Sequence, residues 1–152
     1  MYFRLIDRVL ERSDSQVTAI KAITAAEEYL KDHFPTFPVL PGVLMLEAMV
    51  QTGREMTDPN EPPMVLGQVR ALKYGSFVRP GDVLEIQVKK LKEFDDGSLD
   101  LRGKAFVQCS SGRGEPAIAC VGRFTLRPIR LPSVPPITED AKPVLSGCAS
   151  SK

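Results

Sequence analysis

One stretch of this chain constrains its fold more than any other. Residues 43–50 are apolar except for Glu47, and they follow directly on Pro41 and Gly42. Proline and glycine are typical of a helix start, so the pattern predicts a helix over residues 42 to 55 or 56. At about 100° per residue the apolar positions cover every face of that helix, which predicts burial on all sides. The rest of the chain must then enclose it.

The segments available to enclose the helix have the character of strands. Four of them contain β-branched and aromatic residues and are separated by Gly-rich or Pro-Gly turns: 64–74, 82–94, 98–110 and 115–127. The short turns favour antiparallel pairing between strands that follow one another in the sequence. Segment 16–24 is a weaker strand candidate, and apolar spacing over 3–11 predicts a short amphipathic helix. The predicted class is therefore α+β, a hot-dog fold with an antiparallel sheet wrapped around a long buried central helix, plus a short N-terminal helix.

Charge and length narrow the class of protein. The 152 residues carry 20 Lys+Arg against 19 Asp+Glu, a net charge of +1. Such a balance argues against a general nucleic-acid binder or a polybasic membrane binder. No apolar run reaches the ~20 residues that span a bilayer, and the N-terminus is too charged for a signal peptide. We therefore expect a soluble cytoplasmic protein.

The C-terminal region differs in composition from the rest. Residues 128–152 contain five of the 13 prolines, so we expect an extended or disordered tail after a single domain over 1–127. The three cysteines, Cys109, Cys120 and Cys148, are odd in number and lack a Cys-x-x-Cys pair. They predict neither a disulfide framework nor a zinc site.

The single histidine, His33, lies in a stiff segment. Pro35, Pro38 and Pro41 follow it at three-residue intervals, which favours an extended path and a fixed direction for the imidazole. Preorganised loops suit a reactive group because the geometry is set before reaction. The alternative is a histidine that caps a strand and bonds a backbone carbonyl.

Glu47 is the second candidate. A carboxylate in a helix that is apolar on every face must be neutralised, paired or functional, since desolvating a lone charge costs several kcal/mol. One function is that of a general acid. The alternatives are a water-filled crevice or a pair with Arg54 of another subunit.

Gly42 and Val43 open the same helix. Their free N–H groups, together with the helix dipole, suit a developing negative charge such as an enolate oxygen. Many buried helices begin this way for packing reasons alone. A base candidate, an acid candidate and an oxyanion site nonetheless fall within residues 33–47, a set that suits proton abstraction next to a carbonyl coupled to loss of a leaving group.

These residues carry a resemblance to a known family. Residues 33–44 read His-Phe-Pro-Thr-Phe-Pro-Val-Leu-Pro-Gly-Val-Leu and are followed by Glu47, Ala48 and Gln51. The segment resembles the His-Phe-Pro-x-x-Pro-Val-x-Pro-Gly-Val-Leu and Glu-Ala-x-x-Gln pattern of FabZ-type 3-hydroxyacyl-[acyl-carrier-protein] dehydratases. Residues 77–84 resemble the family's Pro-Gly-Asp-x-Leu turn. The resemblance runs from about residue 5 to 127.

The resemblance implies a function for each matched position. His33 is implied as the general base on C2 of a (3R)-3-hydroxyacyl thioester, and Glu47 as the acid that protonates the departing 3-hydroxyl. The Gly42 and Val43 amides are implied to bind the thioester carbonyl, with Gln51 as a support for Glu47 or as a simple packing amide. In the family, His and Glu facing one active site come from different subunits of a homodimer, and dimers commonly form hexamers. No cofactor is required.

The sequence departs from the family at two places. Asp32 stands where the family usually has Gly, a position where positive φ is one explanation. A carboxylate there is expected to favour the protonated imidazolium and weaken His33 as a base. The altered aromatic positions Tyr29 and Leu30 leave the acyl chain length open.

The implied partner is an acidic acyl carrier protein, which needs a basic surface. Candidates are Arg79, Arg70, Lys73 and Arg102, although basic residues on strands are most often solvated edges. Two other functions stay open: a divergent dehydratase or isomerase for specialised lipid or polyketide chains, and a non-catalytic hot-dog subunit that binds acyl chains or carrier protein.

Overall fold

A six-stranded antiparallel sheet packs against one helix in the computed structural model, which describes residues 3–108 and 115–130. The elements in chain order are β1 (Arg8–Arg12), β2 (Gln16–Ala22), a short 3₁₀ turn (Glu28–Leu30), α1 (Gly42–Arg54), β3 (Met64–Tyr74), β4 (Val83–Glu93), β5 (Leu99–Gln108) and β6 (Ala117–Pro128). The order across the sheet is β1-β2-β4-β5-β6-β3. The predicted hot-dog arrangement of sheet and central helix is confirmed.

Burial alternates along the central strands, because successive side chains point to opposite faces of a sheet. In β4, Leu84, Ile86 and Val88 are fully buried beneath α1, whereas Lys89 is exposed on the outer face. Each such buried aliphatic side chain contributes about 1.5–3 kcal/mol relative to an exposed one. The sheet therefore has one apolar face, and α1 covers it.

The helix lies close to the sheet because glycine allows it. A Cβ atom added at Gly53 would lie 2.8 Å from Leu101 Cδ1, and one added at Gly103 of β5 would collide with the Met49 side chain. Met49 and Phe124 are both fully buried at this contact. The position of α1, and with it the direction in which Glu47 points, is thus set by close packing on β5 and β6.

The pairing of β3 differs from the sequence expectation. The Pro-Gly-Asp turn between β3 and β4 suggested a hairpin, but β3 pairs with β6 and β4 pairs with β2. Gly81 of that turn has φ 97° and donates its N–H to Ile23 O at 2.8 Å. The turn carries the chain from one side of the sheet to the other, and β3 becomes an edge strand.

The predicted N-terminal helix is wrong. Residues 8–12 form strand β1, which pairs with β2 through Val9 and Ala19. Leu5 is 1% exposed whereas Leu10 is 46% exposed, so the apolar residues do not share one helical face. The exposed edge of β2 provides backbone hydrogen bonds that a short isolated helix cannot match.

The predicted burial of α1 on all sides is also wrong for the single chain. Val43 is 70% exposed, and the Glu47 side chain is 36% exposed. The sheet covers the stripe that contains Met45, Ala48 and Met49, and leaves the opposite stripe uncovered. An apolar residue at Val43 therefore does not indicate a buried position.

Several expectations lie outside the described residues. These are the Gly-rich turn expected between the strand segments 98–110 and 115–127, Cys109, Cys148, and the tail apart from residues 128–130. The predicted boundary between domain and tail remains a prediction. In the part of the chain that the structure describes, no helix combines the length and the apolar character needed to cross a membrane.

Candidate active site

The loop that carries His33 is held at defined points. Phe37 donates its N–H to Phe34 O at 2.8 Å, and Leu40 donates to Val78 O at 2.8 Å. Phe34 has φ 61°, in the left-handed region that costs a bulky residue energy. The loop is thus a turn over residues 34–37 followed by a segment anchored at Val78, between β3 and β4. The extended path expected from the proline spacing is therefore wrong at Pro35 and holds only for the segment that leads to Pro41.

The His33 imidazole is oriented by the main chain. Its Nδ1 lies 3.1 Å from Val39 O. A carbonyl oxygen only accepts, so Nδ1 carries a proton, and in the neutral form of the ring Nε2 is the acceptor. The same bond satisfies the structural alternative, a histidine that bonds a backbone carbonyl. The ring also lies 4.4 Å from the Phe34 ring, measured between centroids.

Asp32 does not adopt the conformation that would explain a family glycine. Among the described residues, the non-glycine positions with positive φ are Phe34 and Ala71. The strained residue of the loop is therefore two positions after Asp32. Asp32 itself is exposed, so its carboxylate acts on the neighbouring imidazole in the high dielectric of water, which weakens the interaction.

The N-terminus of α1 is open. Pro41 O accepts the N–H groups of Leu44 at 2.9 Å and Met45 at 3.2 Å. Within the described residues no acceptor is recorded for the N–H groups of Gly42 and Val43. With the helix dipole behind them, these two donors suit an anionic oxygen.

Tyr74 is a site residue that sequence reasoning missed. Its ring lies so close to Gly42 that an added Cβ would be 2.8 Å from Cε1 and Cζ and 3.2 Å from the hydroxyl oxygen. Partial burial raises the pKa of Tyr74, with a smaller contribution from Cys120. Its place at the end of β3 gave no signal, because only the tertiary pairing of β3 brings this strand end over the helix start.

Glu47 lies on the uncovered stripe of α1. Gln51 donates from Nε2 to Glu47 Oε1 at 3.2 Å, and Arg54 Nη1 lies 3.6 Å from the same oxygen. This Arg54 belongs to the same chain as Glu47, and the alternative of a pair with Arg54 of another subunit stays a prediction. No hydrogen bond of the described residues ends on Oε2. One carboxylate oxygen is therefore held and the other is free to meet a ligand.

The structure does not join the two leading candidates within one chain. Neither a hydrogen bond nor an ion pair links His33 to Glu47 in the described part of the chain. Gly42 and Glu47 are five residues apart on α1, about 7.5 Å along the helix axis. The loop brings His33 towards the helix start, and α1 carries Glu47 further along.

Exposed aromatic side chains surround the loop. Phe37 and Phe77 pack edge to face with centroids 5.8 Å apart, and the Arg79 guanidinium lies 4.2 Å above the Phe37 ring. Phe34, Phe77 and Val43 are each more than half exposed. Clustered exposed apolar groups of this kind mark a binding or subunit surface.

The four basic candidates occupy two places. Arg79 lies in the loop region and Lys73 is exposed one residue before Tyr74. Arg70 and Arg102 lie on the outer face of the sheet, in a row that crosses four strands in direct register: Lys89, Arg102, Arg123 and Arg70. Like charges opposite one another are unfavourable, and buried Asp100 compensates for Arg123 and Arg70.

Cys120, the cysteine within the described residues, is not suited to act as a nucleophile. Burial raises the pKa of the Cys120 thiol to about 11, and the residue is fully buried. A buried thiol of that pKa is a poor nucleophile at neutral pH.

In the described residues, no three metal-ligating side chains come together to hold an ion.

Comparison with known proteins gives a consistent result. Residues 9–113 match the family model described as ApeI-like, ApeI dehydratase. The 3-hydroxyacyl-[acyl-carrier-protein] dehydratase FabZ of Koribacter versatilis is 36% identical over 109 residues, covering 68% of this chain and 69% of that protein. The bifunctional enzyme LpxC/FabZ of Bacteroides thetaiotaomicron is 36% identical over 110 residues. This chain spans only 24% of that longer relative.

A solved structure supports the fold. The dehydratase heterocomplex ApeI:P from Xenorhabdus doucetiae includes a chain that superposes with a TM-score of 0.64. The match covers 83% of this chain and 99% of that one at 14% identity. At such identity the likeness is one of fold.

Proposed function

This chain belongs to the ApeI-like and FabZ dehydratases, and from that premise we propose that it converts a (3R)-3-hydroxyacyl-[acyl-carrier-protein] to the trans-2-enoyl thioester. The reaction releases water and needs no redox partner. Family membership supports the dehydratase class, and the roles of the individual residues are our proposal.

In the proposed mechanism two residues move protons. His33 Nε2 removes a proton from C2 of the substrate, and the electron pair of that C–H bond forms the C2–C3 double bond. The C3–O bond breaks, and the Glu47 carboxyl group gives its proton to the departing hydroxyl, which leaves as water. His33 then returns its proton to Glu47 through solvent, which restores both groups.

The Gly42 and Val43 amides complete the mechanism. As the C2 proton leaves, negative charge develops transiently on the thioester oxygen before the C3–O bond has broken, and two N–H donors at a helix start stabilise that charge. The Tyr74 ring lies against Gly42, which is half-buried, whereas Val43 is exposed. Partial exclusion of water therefore strengthens mainly the electrostatic effect of the Gly42 donor.

A single observation carries the proposal. The hydrogen bond from His33 Nδ1 to Val39 O leaves Nε2 as the free acceptor, on a loop that runs directly into the open N-terminus of α1. A neutral imidazole with a fixed tautomer beside oxyanion donors is the arrangement that proton abstraction next to a thioester requires.

We propose that the working enzyme is a homodimer whose sites combine His33 of one subunit with Glu47 of the other. Three observations support this: the two residues are not joined within one chain, Val43 and the loop aromatics are exposed, and β3 is an edge strand. Exposed apolar surface next to an open strand edge favours association.

Mixing two inactive variants tests both the residues and their subunits. We expect His33→Ala and Glu47→Gln to abolish turnover of crotonyl or 3-hydroxybutyryl carrier thioester. Unfolding and refolding the two together should restore about a quarter of wild-type activity, since half of the dimers are mixed and each has one intact site. No recovery from a mixture that forms dimers would contradict shared sites. Failure of wild type on carrier substrates of any chain length would contradict the dehydratase.

We propose that the acidic carrier protein docks on the outer basic row. Asp100 compensates for Arg123 and Arg70. Within residues 3–108 and 115–130 no ion pair forms at Lys89 or Arg102, so an acidic partner would relieve the repulsion between these two side chains. Arg102→Glu should raise KM for carrier-bound substrate about tenfold and leave the N-acetylcysteamine thioester unaffected. Arg12→Glu, also on an exposed strand position, is the matched control. Equal effects on both substrates would exclude the outer basic row as the docking site for the carrier protein. The charge of Arg79 or Lys73 would then be reversed in the same experiment.

The match to the ApeI-like model favours a second candidate, a divergent dehydratase for specialised acyl chains. The Xenorhabdus neighbour is a heterocomplex, so a different hot-dog chain is the alternative partner. Turnover restricted to one class of specialised lipid or polyketide thioester, with none on saturated C4 to C16 chains, would favour this candidate.

A further inference from the structure

The N-terminal segment contacts Gln51, the residue that bonds the proposed acid Glu47. The proposed mechanism gives this segment no role. Residues 3–7, here called the strap, precede β1 and run past α1. Gln51 bonds the strap twice: its Oε1 accepts the Leu5 N–H at 2.8 Å, and its Nε2 donates to Phe3 O at 2.9 Å. The same Nε2 donates to Glu47 Oε1 at 3.2 Å.

These three bonds determine which way the amide faces. A backbone N–H can only donate and a backbone carbonyl can only accept, so the strap requires Oε1 at Leu5 and the NH₂ group at Phe3. The second hydrogen of the NH₂ group then points to Glu47. A flipped amide would lose all three bonds and set its oxygen against the Glu47 carboxylate.

The strap is itself anchored elsewhere. Asp7 donates its N–H to Ile20 O at 2.8 Å and accepts from the Ala22 N–H at 2.8 Å and from Lys21 Nζ at 3.1 Å. Leu5 is 1% exposed. Strand β2 therefore fixes the strap, and the strap fixes the amide independently of Glu47.

We infer that the strap is a positioning element for Glu47, acting through Gln51, an inference that rests on the proposed function. With the amide bound to Oε1, that oxygen serves as the acceptor and the transferable proton of the carboxyl group lies on Oε2. Arg54, at 3.6 Å from Oε1, reinforces the same choice. Oε2 is the oxygen that faces the substrate hydroxyl.

The test combines two substitutions at opposite ends of this chain of contacts. Gln51→Leu removes the amide. Asp7→Ala removes the two side-chain bonds between the strap and β2 and keeps the backbone bond of residue 7 to Ile20 O, so it loosens the strap without touching Gln51. Each should lower kcat about tenfold with KM for carrier substrate unchanged, since small misplacement of a working group is costly. Because both act through one amide, the double variant should be no slower than Gln51→Leu alone.

Two further measurements separate positioning from folding. Gln16→Leu repeats the substitution at an exposed glutamine and should leave kcat unchanged. Amide hydrogen exchange at Leu5 should accelerate at least tenfold in Gln51→Leu but not in Gln16→Leu. This readout holds even if Asp7→Ala, which strips a partner from buried Lys21, fails to fold.

The outcomes are distinct. Additive losses of kcat, an unchanged kcat in Gln51→Leu, or unchanged exchange at Leu5 would each overturn the positioning inference while the dehydratase stands. A wild type that dehydrates no thioester would overturn the proposed function instead, whatever the exchange at Leu5.

Discussion

Two carboxylates in this molecule have guanidinium neighbours and opposite surroundings. Asp100, on the outer face of β5, is 3% exposed; its oxygens accept from Arg123 Nε at 3.0 and 3.1 Å and from Arg123 Nη2, and Arg70 adds a contact at 3.4 Å. Glu47, on α1, is 36% exposed and holds its partners loosely through one oxygen. A carboxylate whose two oxygens both accept hydrogen bonds stabilises the fold, whereas a carboxylate with one free oxygen can exchange a proton with a ligand.

The largest difference expected is in activity. Glu47→Gln removes the transferable proton and should lower kcat by about 10²–10⁴-fold, the usual contribution of general acid catalysis. Because the side chain is partly exposed, the free energy of unfolding should change little. Steady-state kinetics with carrier substrate and urea unfolding measure the two. A large loss of stability with a modest loss of rate would show that Glu47, like Asp100, stabilises the fold and does not act as the acid.

The opposite result is expected at Asp100. Asp100→Asn keeps the size but loses the charge-assisted bonds to Arg123 and Arg70, and should lower the free energy of unfolding by about 1–2 kcal/mol. The arginines are half exposed, so water solvates them after the change. Asp95→Asn, at an exposed position nearby, is the control. A drop of kcat beyond threefold would contradict a purely structural role.

The same pair predicts a dependence on pH. The hydrogen bonds from Arg123 hold the pKa of Asp100 below its usual range, with a smaller contribution from Arg70. As pH falls, the unfolded chain therefore binds the proton first. The stability difference between wild type and Asp100→Asn should be full above about pH 5 and shrink below about pH 4. Urea midpoints from pH 7 to 3 test this, and a constant difference would exclude the ion pair as its origin.

The smallest effect is expected at Asp32. Its carboxylate is exposed and screened, so Asp32→Asn should change kcat/KM less than about threefold between pH 6 and 9. Asp32→Gly should behave alike, because the residue does not need positive φ. A pH–rate profile that shifts strongly in Asp32→Asn would show that this charge controls His33 after all.

Local patterns predicted much of the fold. The strand over residues 64–74 and the helix start at Gly42 agree with β3 and α1, because alternation of side chains and a Pro-Gly start depend on neighbouring residues alone. The N-terminal segment was misassigned since its conformation depends on the edge of β2. The partner of β3 was misassigned because a turn motif does not determine which strand becomes the neighbour of β3 in the sheet.

The sequence by itself determined the chemistry available: one histidine on a proline-rich loop, one carboxylate in an apolar helix and the motif that joins them. Only the tertiary structure decided how these groups are held. It set the imidazole tautomer through Val39 O, laid Tyr74 over Gly42, and brought the strap to Gln51 and thus to Glu47. Residue types are local properties, whereas hydrogen-bond partners between residues 46 positions apart, such as Leu5 and Gln51, exist only once the sheet has closed on the helix.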